Sequence, residues 1–243
     1  MGFSKIKKII FDFTPDKIKK VYQEPIIEEL QKSNSYNTIS YSQEGEDLIL
    51  KRIFEYKTKG FYIDVGAHHP KRFSNTYLFY KTGWRGINID ATPGSMNEFK
   101  TLRPRDVNLE LGVSDKRGEL IYYEFDEPAL NTFSRIEAIR KNERTSYKII
   151  NELKLKTFPL SEILTNYLEP DQNIDFLNID VEGFDFKVLR SLDFEINRPE
   201  VILIESLETS LDQVFDNEIY QFLMQKKYIL LAKTFNTLIF KKI

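Results

Sequence analysis

The feature that most constrains this chain is a rhythm of short apolar runs at residues 61–65, 86–89, 107–113, 174–179 and 201–204, separated by helix-patterned or irregular segments. Runs this short, apolar with little alternation, suit strands that are buried on both faces. Their alternation with helical segments selects a mostly parallel sheet covered by crossover helices. Residues 44–56 place Leu48, Ile49, Ile53 and Phe54 on one helical stripe, and Gly60 ends it just before the first run. Two further strands are predicted at 120–125 and 228–233. The latter continues through Phe235-Asn236-Thr237 into residues 238–241, the pattern of an antiparallel hairpin. The expected architecture is α/β: a doubly wound, mostly parallel sheet with an antiparallel C-terminal hairpin, and no internal repeat.

Residues 1–38 mix Lys, Glu and Ile at helical spacing and read as an N-terminal helical extension; residues 39–243 form the main domain. With 243 residues and 41% hydrophobic content, the chain can bury one substantial core. The first basic residues precede an apolar run, but Asp12 and Pro15 cut it short and no small-residue cleavage site follows. Ile6 stands where a myristoylation signal needs Ser or Thr, and no run approaches transmembrane length. A cytoplasmic protein without stable membrane insertion is expected. A formal charge of -2 supplies no positive field, so nucleic acid is not an expected partner; homo-oligomer formation is compatible with this composition. The absence of cysteine removes disulfides, thiolate metal sites and cysteine nucleophiles together.

In a doubly wound sheet, ligands gather beyond the carboxyl ends of the strands, so the residues that follow each apolar run carry the chemistry. The first run ends Asp64-Val65-Gly66-Ala67, where glycine permits close backbone approach and the carboxylate can fix the loop or meet an ammonium group. The second ends at Asp90, placed to accept hydrogen bonds from the hydroxyls of an adenosine ribose. A dinucleotide would need a glycine-rich turn at its pyrophosphate, and no second glycine follows Gly66 before Phe73. S-adenosylmethionine, which has no phosphate, fits better. The later runs end Asn178-Ile179-Asp180 and Ile204-Glu205, and Asp180 with Glu205 forms a candidate pair for Mg2+ or Mn2+.

Taken together, the blocks YSQEGEDLIL, GFYIDVGAHHP, SNTYLFYKTGWRGINID, RPRDVNLELGVSD and FLNIDVEGFDFKVL resemble the FkbM family of methyltransferases over roughly residues 40–206. The resemblance implies a Rossmann-like class I methyltransferase fold, S-adenosylmethionine as donor, and O-methylation of hydroxyls in glycans or other natural products. It places Asp64, Gly66 and Ala67 at the methionine part of the cofactor, Asp90 at its ribose and Asp180 at the methyl-transfer position. Gln43, in the block before the sheet, belongs to a cofactor or acceptor cover, and Asp47 there either joins it or serves the helix. Asn75 contacts the cofactor carboxylate or the acceptor, or caps a helix with its neighbours. Ser114, after the third run, approaches the base or shapes a turn. His68-His69-Pro70 replaces the asparagine-glycine pair of many relatives.

An alcohol acceptor is scarcely ionised at neutral pH and needs a base or a metal ion. The candidates are His68 in preference to His69, Asp180 itself, or a cation held by Asp180 and Glu205. Trp84 suits packing better than sugar stacking. Residues 128–152 are long enough for an acceptor-side lid. The expected partner is a sugar-containing acceptor. N- or carboxyl-methylation of a small metabolite, and an inactive glycan-binding module, are the alternatives.

Overall fold

A computed structural model describes residues 36–207 and 209–243. The predicted N-terminal extension lies outside the described residues apart from 36–38, which carry no helix. The chain divides into two compact units, residues 1–39 and 40–243, and every element named below lies in the second.

The apolar runs become the expected sheet. Strands β1 (Phe61–Val65), β2 (Arg85–Asp90) and β3 (Val107–Glu110) are followed along the chain by β4 (Gly112–Val113), β5 (Gly118–Phe125) and β6 (Ile149–Phe158). The sheet resumes with β7 (Phe176–Ile179), β8 (Val201–Glu205), β9 (Tyr228–Lys233) and β10 (Thr237–Lys242). Among the described residues, seven of these strands pair in the order β3-β2-β1-β7-β8-β10-β9. β1 lies parallel to both β2 and β7, so the chain order reverses between β1 and β7, where a doubly wound sheet opens its binding crevice. β10 runs antiparallel to both β8 and β9, as the terminal hairpin predicts.

The apolar content of β1, β7 and β8 follows from their central place: every residue of the three is buried. One face packs under helices α5 (Leu160–Tyr167), α6 (Asp185–Arg190) and α7 (Glu218–Gln225), whose Leu164, Val188 and Leu223 share a core with Ile63, Leu177 and Ile204. The other face meets α1 (Glu46–Ile53) and α2 (Tyr77–Lys81) through Leu50 and Phe79. Trp84 is 1% exposed and sits 4.8 Å from the Phe79 ring and 5.4 Å from Phe54, so it belongs to this core and offers no face to a sugar. Truncating a buried aromatic of this kind costs about 3–5 kcal/mol.

Two expectations change. The run 107–113 is not one strand: after Glu110 the Leu111 N–H donates to the Asp90 carbonyl (3.0 Å) and Gly112–Val113 crosses to pair with β6. The segment 128–152, expected to be long enough for an acceptor-side lid, carries regular structure of its own. It forms a 3-10 turn (Pro128–Leu130), helix α4 (Arg135–Arg144) and the start of β6. β6 lies between β4, which is parallel to it, and β5, which is antiparallel, in a separate three-stranded sheet. β6 alternates charged and apolar residues, which fits a strand with one face in solvent. The remaining helix, α3 (Met96–Leu102), follows β2.

Candidate functional site

At the carboxyl ends of β1, β2 and β7 the chain forms a narrow cleft. Its walls come from both sheets: Gly66, Asp90 and Asp180 from the large one, Tyr122 and Phe133 from the small one and its connection. Gly66 has φ +84°, and a Cβ there would stand 1.7 Å from the Asp180 carbonyl oxygen. Only glycine lets the β1 and β7 turns touch. Asp90 is buried; one oxygen accepts from the His68 N–H (2.9 Å) and the other from the Thr92 N–H (2.8 Å). Two backbone donors thus fix the carboxylate, while each oxygen keeps a lone pair for a ligand hydroxyl. Leu111, Val113 and Phe133 supply an apolar floor nearby, suited to a flat base.

His68 follows this turn with φ +51°, a left-handed conformation uncommon outside glycine. Its Nε2 is buried and has no hydrogen-bond partner among the described residues. Burial lowers its pKa below the ordinary histidine value, against the pull of Asp90, so the ring is neutral at pH 7 and can accept a proton. His69 plays a different part. Its Nδ1 accepts from the Lys71 and Arg72 N–H groups, at 3.0 and 2.9 Å, and Nε2 faces Glu98. That pins the loop.

Asp64 faces away from the cleft. One oxygen accepts from Thr76 Oγ1 (2.7 Å) and the other from Asn178 Nδ2 (2.9 Å), within a buried chain of polar groups. Arg103, fully buried, donates to Thr76 Oγ1 (2.9 Å), the Tyr62 hydroxyl (2.7 Å) and Asp106 (2.9 Å). Burial raises the Asp64 pKa, and Arg103 opposes the rise. The carboxylate is therefore a strut within the structure, with no oxygen turned to a ligand. At the other end of this chain Asn178 accepts from Asn75 Nδ2 (2.9 Å), leaving the buried Asn75 Oδ1 without a partner among the described residues. The three residues Ser74, Asn75 and Thr76 divide the roles between them. Ser74 Oγ accepts from the Tyr77 N–H at the start of α2 (3.1 Å), Asn75 faces the site, and Thr76 braces Asp64.

A second, small acidic pocket of about 20 Å3 adjoins the cleft, lined by Gln43, Asn75, Asp180 and Glu205 among others. Asp180 lines both cavities and is their shared wall. The block before the sheet closes the pocket. Asp47, wholly buried, accepts from Ser40, Ser42 and the Tyr41 N–H, and Glu46 and Glu44 accept from Thr234 and the Asn236 N–H in the β9-β10 turn. Asp47 thus folds the residues ahead of α1 into a cover. Asp180, Glu182 and Glu205 place a carboxylate oxygen each within 4.8 Å of one another. Burial is the first cause that raises all three pKa values; for Asp180, repulsion by Glu182 and Asp185 adds to it. The Lys141 ammonium, from α4, pairs with Glu182.

The structure brings Gly66, His68, Asp90 and Asp180 to one cleft, and Gln43, Asn75 and Glu205 to the pocket beside it. Ala67 is buried against Met96 and Phe99, and shapes the turn by packing. Ser114 is placed elsewhere: its Oγ bonds Asp115 (3.1 Å), and it lines a separate cavity with Arg117 and Lys187. Asp185 accepts from the Val181 and Gly183 N–H groups and so shapes the turn ahead of α6. Asn131, Phe133 and Lys141 lie within the segment 128–152 read as an acceptor-side lid, whereas Tyr122, from β5, is not marked in the sequence by any strand-end motif. The overlooked signal was the alternation in β6, which implies a second sheet.

The residues present fit S-adenosylmethionine. The Gly66 turn lines the cleft, Asp90 retains acceptor capacity for two hydroxyls, and the Asn75 Oδ1, without a partner among the described residues, suits an ammonium. The profile described as the methyltransferase FkbM domain matches residues 64–230 of the chain. No protein of curated function matches significantly. Among solved structures, the chain is similar to a methyltransferase from Geobacter sulfurreducens, with 10% identity, coverage of 100% of this chain and 99% of that one, and a TM-score of 0.43. It is also similar to the O-methyltransferase from Bacillus cereus in complex with SAH, with 12% identity, coverage of 92% and 94%, and a TM-score of 0.37.

Proposed function

This chain belongs to the FkbM-domain methyltransferases, and on that premise we propose that it transfers the methyl group of S-adenosylmethionine to a hydroxyl of a sugar-containing acceptor in the cytoplasm. When bound, the cofactor supplies a methyl group activated by its sulfonium sulfur. Asp90 accepts from the ribose hydroxyls, the Gly66 turn forms the cleft wall beside the cofactor, and Asn75 Oδ1 accepts from the methionine ammonium. Gln43 closes the pocket from the cover side.

The observation that carries this reading is the position of Asp180, in the wall between the cleft that holds Asp90 and the acidic pocket at Glu205. A group there lies alongside the donor where it passes from one cavity to the other, beside the point of methyl transfer. Its raised pKa makes it a better proton acceptor than an ordinary carboxylate. His68, neutral and with a free Nε2, is the second base within the donor cleft. In either route the acceptor O–H loses its proton to this chain as the oxygen takes the methyl group. A hard cation at Asp180 and Glu205 is a further way to lower the hydroxyl pKa.

The test is transfer of isotopic methyl into a panel of nucleotide-sugars and glycan fragments, with calorimetric titration of S-adenosylmethionine beside it. Labelled ether product is expected. Absence of cofactor binding refutes the reading, and label on nitrogen or carboxylate redirects it to a different acceptor.

A further inference from the structure

We propose that Asp180, Glu182 and Glu205 bind one hard divalent cation of the Mg2+ or Mn2+ class, with Lys141 holding Glu182 in place as the third ligand. Two independent observations converge here. Their carboxylate oxygens lie within 4.8 Å of one another. Glu205 Oε2 is also buried and has no hydrogen-bond partner among the described residues, while the residue itself is 7% exposed. A buried carboxylate oxygen without a partner is costly unless something positive faces it.

The spacing suits an ion. Oxygens on opposite sides of one cation are separated by twice the metal–oxygen distance, about 4.2 Å for Mg2+ and up to about 5 Å for the larger Ca2+. Three oxygens all 4.8 Å apart, the widest spacing present, would lie about 2.8 Å from their centre, so they reach a single ion once each draws in by at most about 0.7 Å.

The backbone prepares the third ligand. Glu182 sits at φ +56°, and its carbonyl accepts from Thr132 Oγ1 (2.8 Å), so the connection ahead of α4 fixes the turn while Lys141 on α4 fixes the side chain. Lys141 occupies one Glu182 oxygen and leaves the other available. Beyond Glu182 and Glu205 an outer cavity of about 370 Å3, lined by Gln43, Arg144 and Asn236 among others, gives water and an acceptor access to the ion. An ion held there would lower the pKa of an acceptor hydroxyl, a role that rests on the methyl-transfer reading; binding of the ion does not.

The experiment is titration of the full-length protein with Mn2+, followed by the electron paramagnetic resonance signal of the free ion, without cofactor or acceptor. One Mn2+ per chain is expected, displaced by Mg2+ in competition. Glu205→Gln and Asp180→Asn should each weaken binding by about tenfold or more, since even indirect supporting contacts cost 10–100-fold at metal sites. Glu195→Gln, on the exposed surface, should change nothing. Thermal unfolding checks that the variants fold; Glu205→Gln removes an unpartnered buried charge and should not lower the midpoint. Absence of saturable Mn2+ binding, or equal affinity in wild type and all three variants, overturns the proposal. Calorimetry with S-adenosylmethionine on the same proteins separates the two readings. Cofactor binding without Mn2+ binding removes the ion alone, and loss of cofactor rather than Mn2+ binding in Glu205→Gln reassigns the pocket to the donor.

Discussion

Replacing Gly66 by alanine tests the geometry of the site most directly, because the structure sets two separate penalties and a second glycine isolates one of them. Gly66 has φ +84°, and a left-handed L-residue costs about 1–2 kcal/mol. In a domain of this size that lowers the unfolding midpoint by roughly 2–8 °C. The new Cβ would also lie 1.7 Å from the Asp180 carbonyl oxygen, with the Asp180 carbonyl carbon at 2.7 Å. A tolerable carbon–oxygen contact is about 3.3 Å, so the β1 and β7 turns must part by more than an ångström. Both are backbone, and no side-chain rotation relieves the contact. A displacement of about 1 Å at a reacting group costs on the order of 10²-fold in rate. Gly83 has φ +101°, and a methyl group there would meet no atom within 4 Å, so Gly83→Ala carries the dihedral penalty alone. Differential scanning fluorimetry, calorimetry with S-adenosylhomocysteine and isotopic methyl transfer should therefore separate the variants. Both lose stability, Gly66→Ala more, and only Gly66→Ala loses cofactor affinity and turnover. A Gly66→Ala protein with the affinity and midpoint of Gly83→Ala would refute the close-approach reasoning.

Asp90→Ala removes charge-assisted hydrogen bonds of about 1.5–3 kcal/mol each and should weaken cofactor binding by at least about tenfold, as read by calorimetry. Asp180→Asn should instead lower kcat far more than it changes cofactor affinity. Arg103→Met leaves Asp106 buried without its cation and unties Thr76 from the strut to Asp64. A loss of about 3–5 kcal/mol in urea unfolding is expected. His68 gives a pH signature. Because burial lowers its pKa, the folded protein holds the imidazole proton less readily than the unfolded chain. Its contribution to stability is complete above the unfolded value of about 6.5 and fades as pH falls through the lower folded value. If His68 is the base, the acid limb of the kcat/KM profile lies below a pH of about 6.5 and disappears in His68→Gln; a limb that persists unchanged in the variant assigns it to another group.

The order of elements and the strand-end acids were legible in the sequence because parallel strands buried on both faces must be apolar throughout. A central strand such as β1 then announces itself, and the polar residue after it falls at the crevice. Gly66, Asp90 and Asp180 were found on that ground, and their convergence at one cleft follows from the reversal of strand order between β1 and β7. The small sheet was harder to read. β6 is half exposed and heavily charged, so its period-2 pattern was hidden within a segment that resembled a loop.

What the sequence determined by itself is what burial dictates locally: which runs are strands, that a hairpin closes the chain, and that carboxylates stand at the strand ends. The tertiary structure alone decided what each carboxylate does. Asp64 lies inside β1, in register with Asn88, and turns inward to Thr76 and Asn178, while Asp90 ends β2 and is held by backbone N–H groups at the cleft. Ser114 and Asn75 are both polar residues in family-like blocks, and only Asn75 reaches the site. The physical reason is that strand periodicity reports whether a residue is buried, whereas its partner depends on contacts across more than a hundred residues of chain. Such contacts join Asn178 to Asp64 and Asn75. The close approach at Gly66 belongs to the same class, since its necessity comes from the carbonyl of Asp180, a neighbour that only the folded sheet supplies.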